Sequence, residues 1–531
     1  MPITCEVPCQ NFSRLRRAIK PSVRSTSGIV VTQNRHASQI GARVLKEGGH
    51  AVDATVAAAF ALGVLEPWMS GIGGVGGALV YDARSGRVTA VDFGGQSPIA
   101  LDPDDFELIG EANSLSGWPS VKNGRNAVGP HAFVVPSAPA GLDCLHRMFG
   151  CKRWRDLVSP SIRLAEDGIT VDWYTTLIIA TAFGDLIKDP EARARFLPSD
   201  APPVPALATA AKAVVRLPMP RLARSLETLA AEGAEAMYQG ALGRNISEDI
   251  QAMNGYLSAG DLSTYEVKVG PSLETPFRDR TIHVLPELNG GPTLSVAFAE
   301  LNRRMRESGE GPGIESVRAY AAAMMMGWRQ RLESMGDAGD RSTPTSTTHL
   351  NVIDRAGNIV SLTTTLLSQF GSRVVLPRSG ILMNNGINWF DPRPGRTNSL
   401  APDRRVLANY APAIMTGSGQ VIGAGASGGR KIISAVFQIL AMCADFKFDP
   451  ARVLQEPRID VSGVDCVVAD RRLPNSIVDA LAESHDVVLA EPVVYPNPYA
   501  YANVVRRVGT LNEGACDPEQ PWPEAVSEEE V

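Results

Sequence analysis

No apolar run in this 531-residue chain approaches the roughly 20 residues that cross a bilayer, so no membrane span is expected. Lys and Arg number 51 against 57 Asp and Glu, a net charge of −6. That balance offers no basic field for nucleic acid or for an anionic membrane surface. The seven cysteines, at 5, 9, 144, 151, 443, 466 and 516, are odd in number and lack any repeated metal-type pairing. Reduced thiols are the expectation, not a disulfide framework or a zinc site. The histidines are scattered without ligand spacing, and neither a metal nor a cofactor is expected. Met1 to Ser27 carries Arg14, Arg16, Arg17, Lys20 and Arg24 and has no apolar core of a secretory signal. These absences lead to the expectation of a cytoplasmic protein with a mobile leader over 1–28. No internal repeat is visible.

What remains is ordinary for a large globular core, with 44% hydrophobic and 20% charged residues. Ile29-Val30-Val31 predicts a first strand, and Ala37 to Glu47 has helical spacing stopped by Gly48-Gly49. Ala51 to Leu65 is apolar nearly all round, as a helix buried on every side must be. The glycine run Gly71 to Gly77 precedes a strand and lacks the Lys-Ser/Thr of a phosphate loop, so close packing is the reading, not nucleotide binding. Met324-Met325-Met326 reads as core filling. The tail 517–531 is acidic and contains proline, and disorder is expected there.

The informative stretch is Thr345 to Thr365, TSTTHLNVIDRAGNIVSLTTT: a strand, a tight turn at Arg355-Ala356-Gly357, and a returning strand. If the bond between Ser346 and Thr347 is cut, Thr347 gains a free α-amine beside its hydroxyl. Such an amine, with a pKa of roughly 7.7 to 8.0, is partly neutral at pH 7 and serves as the base that a threonine nucleophile needs. The polar, turn-rich segment Gly336 to Ser346, with Pro344, has the exposed and strained character that self-cleavage requires. His349, two residues on, reads as an orienting or packing residue.

Several blocks in order carry a resemblance to the γ-glutamyltranspeptidase (glutathione hydrolase) family of N-terminal-nucleophile hydrolases. They are Ala37 to Gly74, Leu222 to Val267, Thr347-Thr348-His349, Ile381 to Phe390, Gly425 to Ile433 and Glu456-Pro457-Arg458. The resemblance implies an α+β fold, a four-layer αββα sandwich built jointly by a large subunit, 29–346, and a small subunit, 347–531. It implies Thr347 as nucleophile, Thr365 as the hydroxyl that orients it, and Gly428 and Gly429 as oxyanion donors. The partners it implies are a small acyl-amide substrate, water or an amine as acceptor, and the two processed subunits as a heterodimer; pairing of such heterodimers stays open.

Specificity departs from the family. Gly94 stands where the carboxylate-binding arginine is expected, Leu367 replaces an asparagine, Gly386 and Trp389 replace the amine-binding glutamine and aspartate, and Ala408-Asn409 replace paired serines. The stretch Asp391 to Asp403 is short for a lid. An acyl group other than a standard γ-glutamyl is expected, with Gln96, Arg373, Asn388, Trp389, Asn409 and Tyr410 as candidates to line a rebuilt pocket. Two alternatives stand beside it: a glutathione hydrolase or γ-glutamyltransferase using different contacts, and a non-catalytic scaffold with the same fold.

Overall fold

In the computed structural model the described residues are 18–112, 119–206, 214–304, 309–336, 346–463, 466–491, 493–495 and 497–531. Fourteen strands build two antiparallel sheets. In chain order they are β1 (Val23–Ser25), β2 (Ile29–Thr32), β3 (Val75–Asp82), β4 (Arg87–Phe93), β5 (Lys268–Pro271), β6 (Leu273–Phe277), β7 (Arg280–Val284), β8 (Ser346–Ile353), β9 (Ile359–Leu367), β10 (Ala413–Gly417), β11 (Gln420–Ser427), β12 (Tyr501–Val508), β13 (Leu511–Cys516) and β14 (Glu524–Ser527). One seven-stranded sheet runs β14-β2-β8-β9-β3-β4-β5, the other β1-β13-β12-β11-β10-β7-β6.

The two-residue period of the strands assigns side chains to layers. In the first sheet Val30, Leu350, Val352, Val360 and Leu362 face outward onto helices α1 (Arg35–Lys46), α2 (Ala51–Leu65), α3 (Trp154–Asp167) and α4 (Pro220–Glu232). In the second, Ile282, Met415, Ile422, Ala424 and Val504 face α5 (Gly291–Asn302), α6 (Ile314–Gln330) and α7 (Lys431–Asp445). The alternate residues Ile29, Val31, Ile353, Ile359, Ile414 and Val505 meet between the sheets. Helices, sheet, sheet, helices: this is the αββα order expected. Helix α2 is buried around its circumference, as its composition predicts, and its capping box of His50 with Asp53 fixes where it starts. Met324 and Met325 are buried as expected, while Met326 is exposed. No helix among the described residues is long and apolar enough to cross a membrane.

Two terminal expectations are corrected. The tail is not disordered over 517–531: β14 pairs with β2, Val30 opposite Val526 and Val31 opposite Ala525. Composition misleads here because an edge strand needs only a few apolar anchors. Val526 enters the outer core, Trp522 packs on Tyr174 with ring centroids 4.4 Å apart, and the indole donates to Asp172 Oδ2 at 2.6 Å. The acidic charge is met as well, with Arg355 3.0 Å from Glu528. Nor is the leader mobile over its whole length, since Val23–Ser25 pairs with β13 and Lys20 Nζ donates to Pro523 O at 2.7 Å; residues 1–17 lie outside the described residues, as does the segment 337–345 before the strand of Thr347.

If the tail is integral in this way, Trp522→Ala lowers the stability to unfolding by about 2 to 3 kcal/mol. Denaturant unfolding checks it, and an unchanged midpoint contradicts the packing described.

Candidate active site

Thr347 lies on β8, and the pairing with β9 breaks its rhythm there. Thr348 pairs with Thr364 and Ser346 with Leu367, so the one residue between on β8 faces two on β9, Thr365 and Leu366. This bulge re-aims the second strand's side chains, as bulges beside functional sites do. Thr365 Oγ1 is thereby turned onto Thr347, 3.2 Å from its Oγ1. The Thr347 hydroxyl also donates to Ser346 O at 2.8 Å, Thr365 Oγ1 donates to the same carbonyl, and Leu367 N–H donates to Thr365 Oγ1 at 2.8 Å. Ser346 is itself held, its Oγ donating to Met69 O at 2.8 Å. A hydroxyl fixed beside the preceding carbonyl, with a second hydroxyl polarising that carbonyl, is arranged for attack on the peptide bond.

The opposite wall comes from the second sheet. A Cβ on Gly425 would lie 2.1 Å from His349 Cε1, and one on Gly423 would lie 3.0 Å from Asn351 Oδ1. Residues 349 and 351 of β8 therefore face 425 and 423 of β11. Continued by two residues, that register sets Thr347 opposite Ser427, immediately before Gly428 and Gly429. These glycines have φ of +141° and +58°, which a side chain would resist, and they lead into α7. Backbone N–H groups at such a helix start are unpaired and favour developing negative charge.

Between the sheets His349, fully buried, has Nδ1 2.8 Å from Thr363 Oγ1, while Asn351 Nδ2 lies 3.0 Å from His349 Nε2. Asn351 Nδ2 also donates to Asn503 Oδ1 at 2.6 Å, and Asn503 Nδ2 donates to His349 O at 2.8 Å. Burial pushes the imidazole down to about 3, so it is neutral, accepts at Nε2 from Asn351 and donates from Nδ1 to Thr363. That fits an orienting role and leaves no free nitrogen for a general base.

The candidate pocket residues divide. Leu367, Trp389, Ile387, Val75 and Val134 form one apolar cluster, and a Cβ on Gly386 would lie 2.3 Å from Val134 Cγ2. The wall next to Thr365 is therefore apolar where the family resemblance expects polar groups. Trp389 Nε1 and Asn409 Nδ2 are buried donors without partners among the described residues. Asn409 Oδ1 accepts from Arg331 Nη2 at 2.7 Å, and Tyr410 Oη donates to Asp92 Oδ1 at 3.2 Å. A Cβ on Gly94 would lie 3.0 Å from that Tyr410 Oη, a tight fit beside which a side chain at this position would press on Tyr410. Asn388 accepts from Asn126 Nδ2 at 3.2 Å. Gln96 is spent on Asp403, and Arg373 turns to Gly371 O at 2.7 Å with Asp185 3.8 Å away; neither is joined to the Thr347 group. The sequence reading missed Asn351, Asn503 and Ser427. Asn351 alone gave a signal, a polar residue two places after His349 on the same strand face. Among the described residues no His/Cys/Asp/Glu group is arranged to hold a metal ion.

Comparison with known proteins bears on the fold and the family. The family model "Gamma-glutamyltranspeptidase" matches residues 37–344 and 329–524. The chain is 30% identical to the acylase ACY 1 proenzyme of Pseudomonas sp. (strain V22), over 96% of this chain and 95% of that one. It is 28% identical to the glutathione hydrolase proenzyme of Bacillus subtilis (strain 168), over 86% and 84%. The crystal structure of cephalosporin acylase from Bacillus halodurans superposes with a TM-score of 0.83 at 23% identity, covering 97% of this chain and 98% of that one. With the family model spanning nearly the whole sequence, the chain belongs to the gamma-glutamyltranspeptidase family and is a hydrolase of amide bonds.

Proposed function

We propose that this protein is a proenzyme that cuts itself before Thr347 and then uses Thr347 to take an acyl group other than a standard γ-glutamyl from an amide. The observation that carries the first half is the Thr347 hydroxyl 2.8 Å from the carbonyl oxygen of Ser346, with Thr365 bonded to both groups. Attack of Oγ1 on that carbonyl carbon breaks the C–N bond, exchanging the peptide for an ester and freeing the α-amine, and water then opens the ester to release the Ser346 carboxylate and the Thr347 hydroxyl. In turnover the amine takes the hydroxyl proton as the acyl–oxygen bond forms and passes it to the leaving amine. The N–H groups at Gly428 and Gly429 stabilise the oxyanion, and each such donor is worth about 3 to 4 kcal/mol of barrier. Fragments 1–346 and 347–531 stay together as a heterodimer, and water or an amine resolves the ester.

The second half rests on the apolar wall. A γ-glutamyl head brings an ammonium and a carboxylate, and burying either unpaired costs several kcal/mol. At Leu367, Gly386 and Trp389 no acidic group meets the ammonium, and Gly94 leaves no arginine for the carboxylate. The nearly full-length likeness to an acylase proenzyme supports the same reading.

Intact mass of the purified protein should give two chains split before Thr347, whereas Thr347→Ala should stay whole and inactive; a wild type that remains one chain under all conditions sinks the reading. Thr365→Val should slow both cutting and turnover, by about 100-fold. On anilide substrates, γ-glutamyl should be at least about 100-fold poorer in kcat/KM than simple acyl or oxamyl groups, and Trp389→Ala should change the ratio among the acyl groups; equal rates throughout would restore a γ-glutamyl pocket. The acid limb of the rate should fall near pH 7 to 8, from the α-amine, and His349→Asn should leave its position unmoved because the imidazole is already neutral across that range.

A further inference from the structure

Two buried acceptors, Gln33 Oε1 and Ser427 Oγ, have no hydrogen-bond partner among the described residues. Their side chains are 2% and 0% exposed, out of reach of bulk solvent. Buried polar atoms are nearly always paired, and an exception calls for a physical reason.

Strand register brings both to Thr347. β2 and β8 pair Ile29 with Ile353, Val30 with Val352 and Val31 with Asn351. Gln33 follows the last residue of β2, Thr32, and the same register continued two residues beyond the last pair points it toward His349, on the inner face that Ile29 and Val31 share. Its side chain spans the gap between the sheets, Nε2 donating to Tyr501 O at 3.3 Å. Tyr501 is the cross-strand partner of Ser427, and Ser427 is the residue that the β8 to β11 register sets opposite Thr347. Thr347 has Thr365 on one flank, and the continued registers direct Gln33 toward its other flank and Ser427 toward its front.

In the continuous chain the Thr347 nitrogen is a peptide N–H. Cutting turns it into an amine with two N–H bonds and a lone pair, or three N–H bonds when protonated, and these need acceptors that an uncut chain does not use. We propose that Gln33 Oε1 and Ser427 Oγ seat the α-amine released at Thr347, leaving its lone pair to face the Thr347 hydroxyl. This rests on the reading of Thr347 as an N-terminal nucleophile. As the Thr347 oxygen bonds to the acyl carbon, its proton passes to the amine. The same two acceptors hold the ammonium until the proton leaves with the departing amine and the C–N bond breaks. Both residues are positioning residues. Both are also neutral, which matters because a carboxylate in that seat would favour the ammonium and remove the base near pH 7.

The test compares wild type with Gln33→Leu, Gln33→Glu and Ser427→Ala, each as the full chain, by intact mass and then by pH-resolved kinetics on an anilide the wild type turns over. All three variants should be cut. Gln33→Leu and Ser427→Ala should lower kcat about tenfold with KM within about twofold, and Gln33→Glu should move the acid limb of kcat/KM upward by about one pH unit. Variants that are cut and keep the wild-type kcat and acid limb overturn the assignment. So does a variant left whole where wild type is cut, which would place the residue in the cutting step. If Gln33→Leu fails to fold, the limb of Gln33→Glu and the kcat of Ser427→Ala decide. A wild type that is never cut removes the underlying reading instead.

Discussion

The site depends on how closely β11 approaches β8, and one contact sets that distance. The His349 ring occupies the space a side chain at position 425 would need, its atoms 2.1 to 2.5 Å from a Cβ built on Gly425. Real carbon contacts never fall so short, so glycine and imidazole lock the sheets at this level. The ring cannot tip, because Thr363 and Asn351 hold its two nitrogens and Asn503 ties Asn351 to the second sheet. An apolar filling would also hold the sheets together, as Ile353, Ile359 and Val505 do lower in the same layer. Apolar contacts are non-directional, however, and tolerate sliding, whereas a fully bonded polar chain fixes register. Two residues above this lock lie Thr347 on one strand and Ser427 on the other, so the spacing between Thr347 and the glycines that follow Ser427 is set from it.

The same sheets decide what a cut before Thr347 does to the molecule. In the first sheet β2, β3, β4 and β5 precede the cut while β8, β9 and β14 follow it; in the second, β1, β6 and β7 precede while β10 to β13 follow. Neither fragment retains a complete sheet. β8 keeps β2 as a neighbour and β9 keeps β3, each through a ladder that crosses the cut. Separation would expose the apolar faces of both sheets and orphan those ladders, at a cost far beyond one peptide bond. Cutting therefore changes the chemistry at Thr347 while leaving the fold to hold the pieces.

Much of this was legible in the chain itself. The hairpin of Thr347 and Thr365 could be read because both threonines lie on strands joined by a tight turn, and α2 because its circumference is apolar apart from Asp53 and Thr55 in its first turns. The glycine pair before α7 was readable from its block. The bulge opposite Thr347 was not, since one unpaired residue leaves no mark in a run of threonines. Gln33, Ser427 and Asn503 were invisible for a different reason: their neighbours, Tyr501 for the first two and His349 for the third, come from strands far apart in sequence. Nor does the sequence say that Asp403 engages Gln96 or that Asp185 lies near Arg373. The tail was misjudged by composition, which averages over the few residues, Trp522, Ala525 and Val526, that carry an edge strand.

The reaction machinery and the recognition surface are built from different materials. The proposed nucleophile, orienting hydroxyl and oxyanion donors depend on backbone: a bulge at Thr347, positive φ at Gly428 and Gly429, a helix start. Side chains around them can change without disturbing these features. The acyl pocket is made of side chains, and here Leu367 is instructive. Its φ is +80°, a region where asparagine is at ease and leucine is strained by about 1 kcal/mol. A leucine that merely filled space would be better replaced by asparagine on backbone grounds. It offsets the strain by joining Val75, Val134, Ile387 and Trp389, burial worth about 1.5 to 3 kcal/mol for such a side chain. The balance favours an apolar wall beside Thr365 over the backbone's own preference, and an apolar wall is what an acyl chain without a charged head would meet.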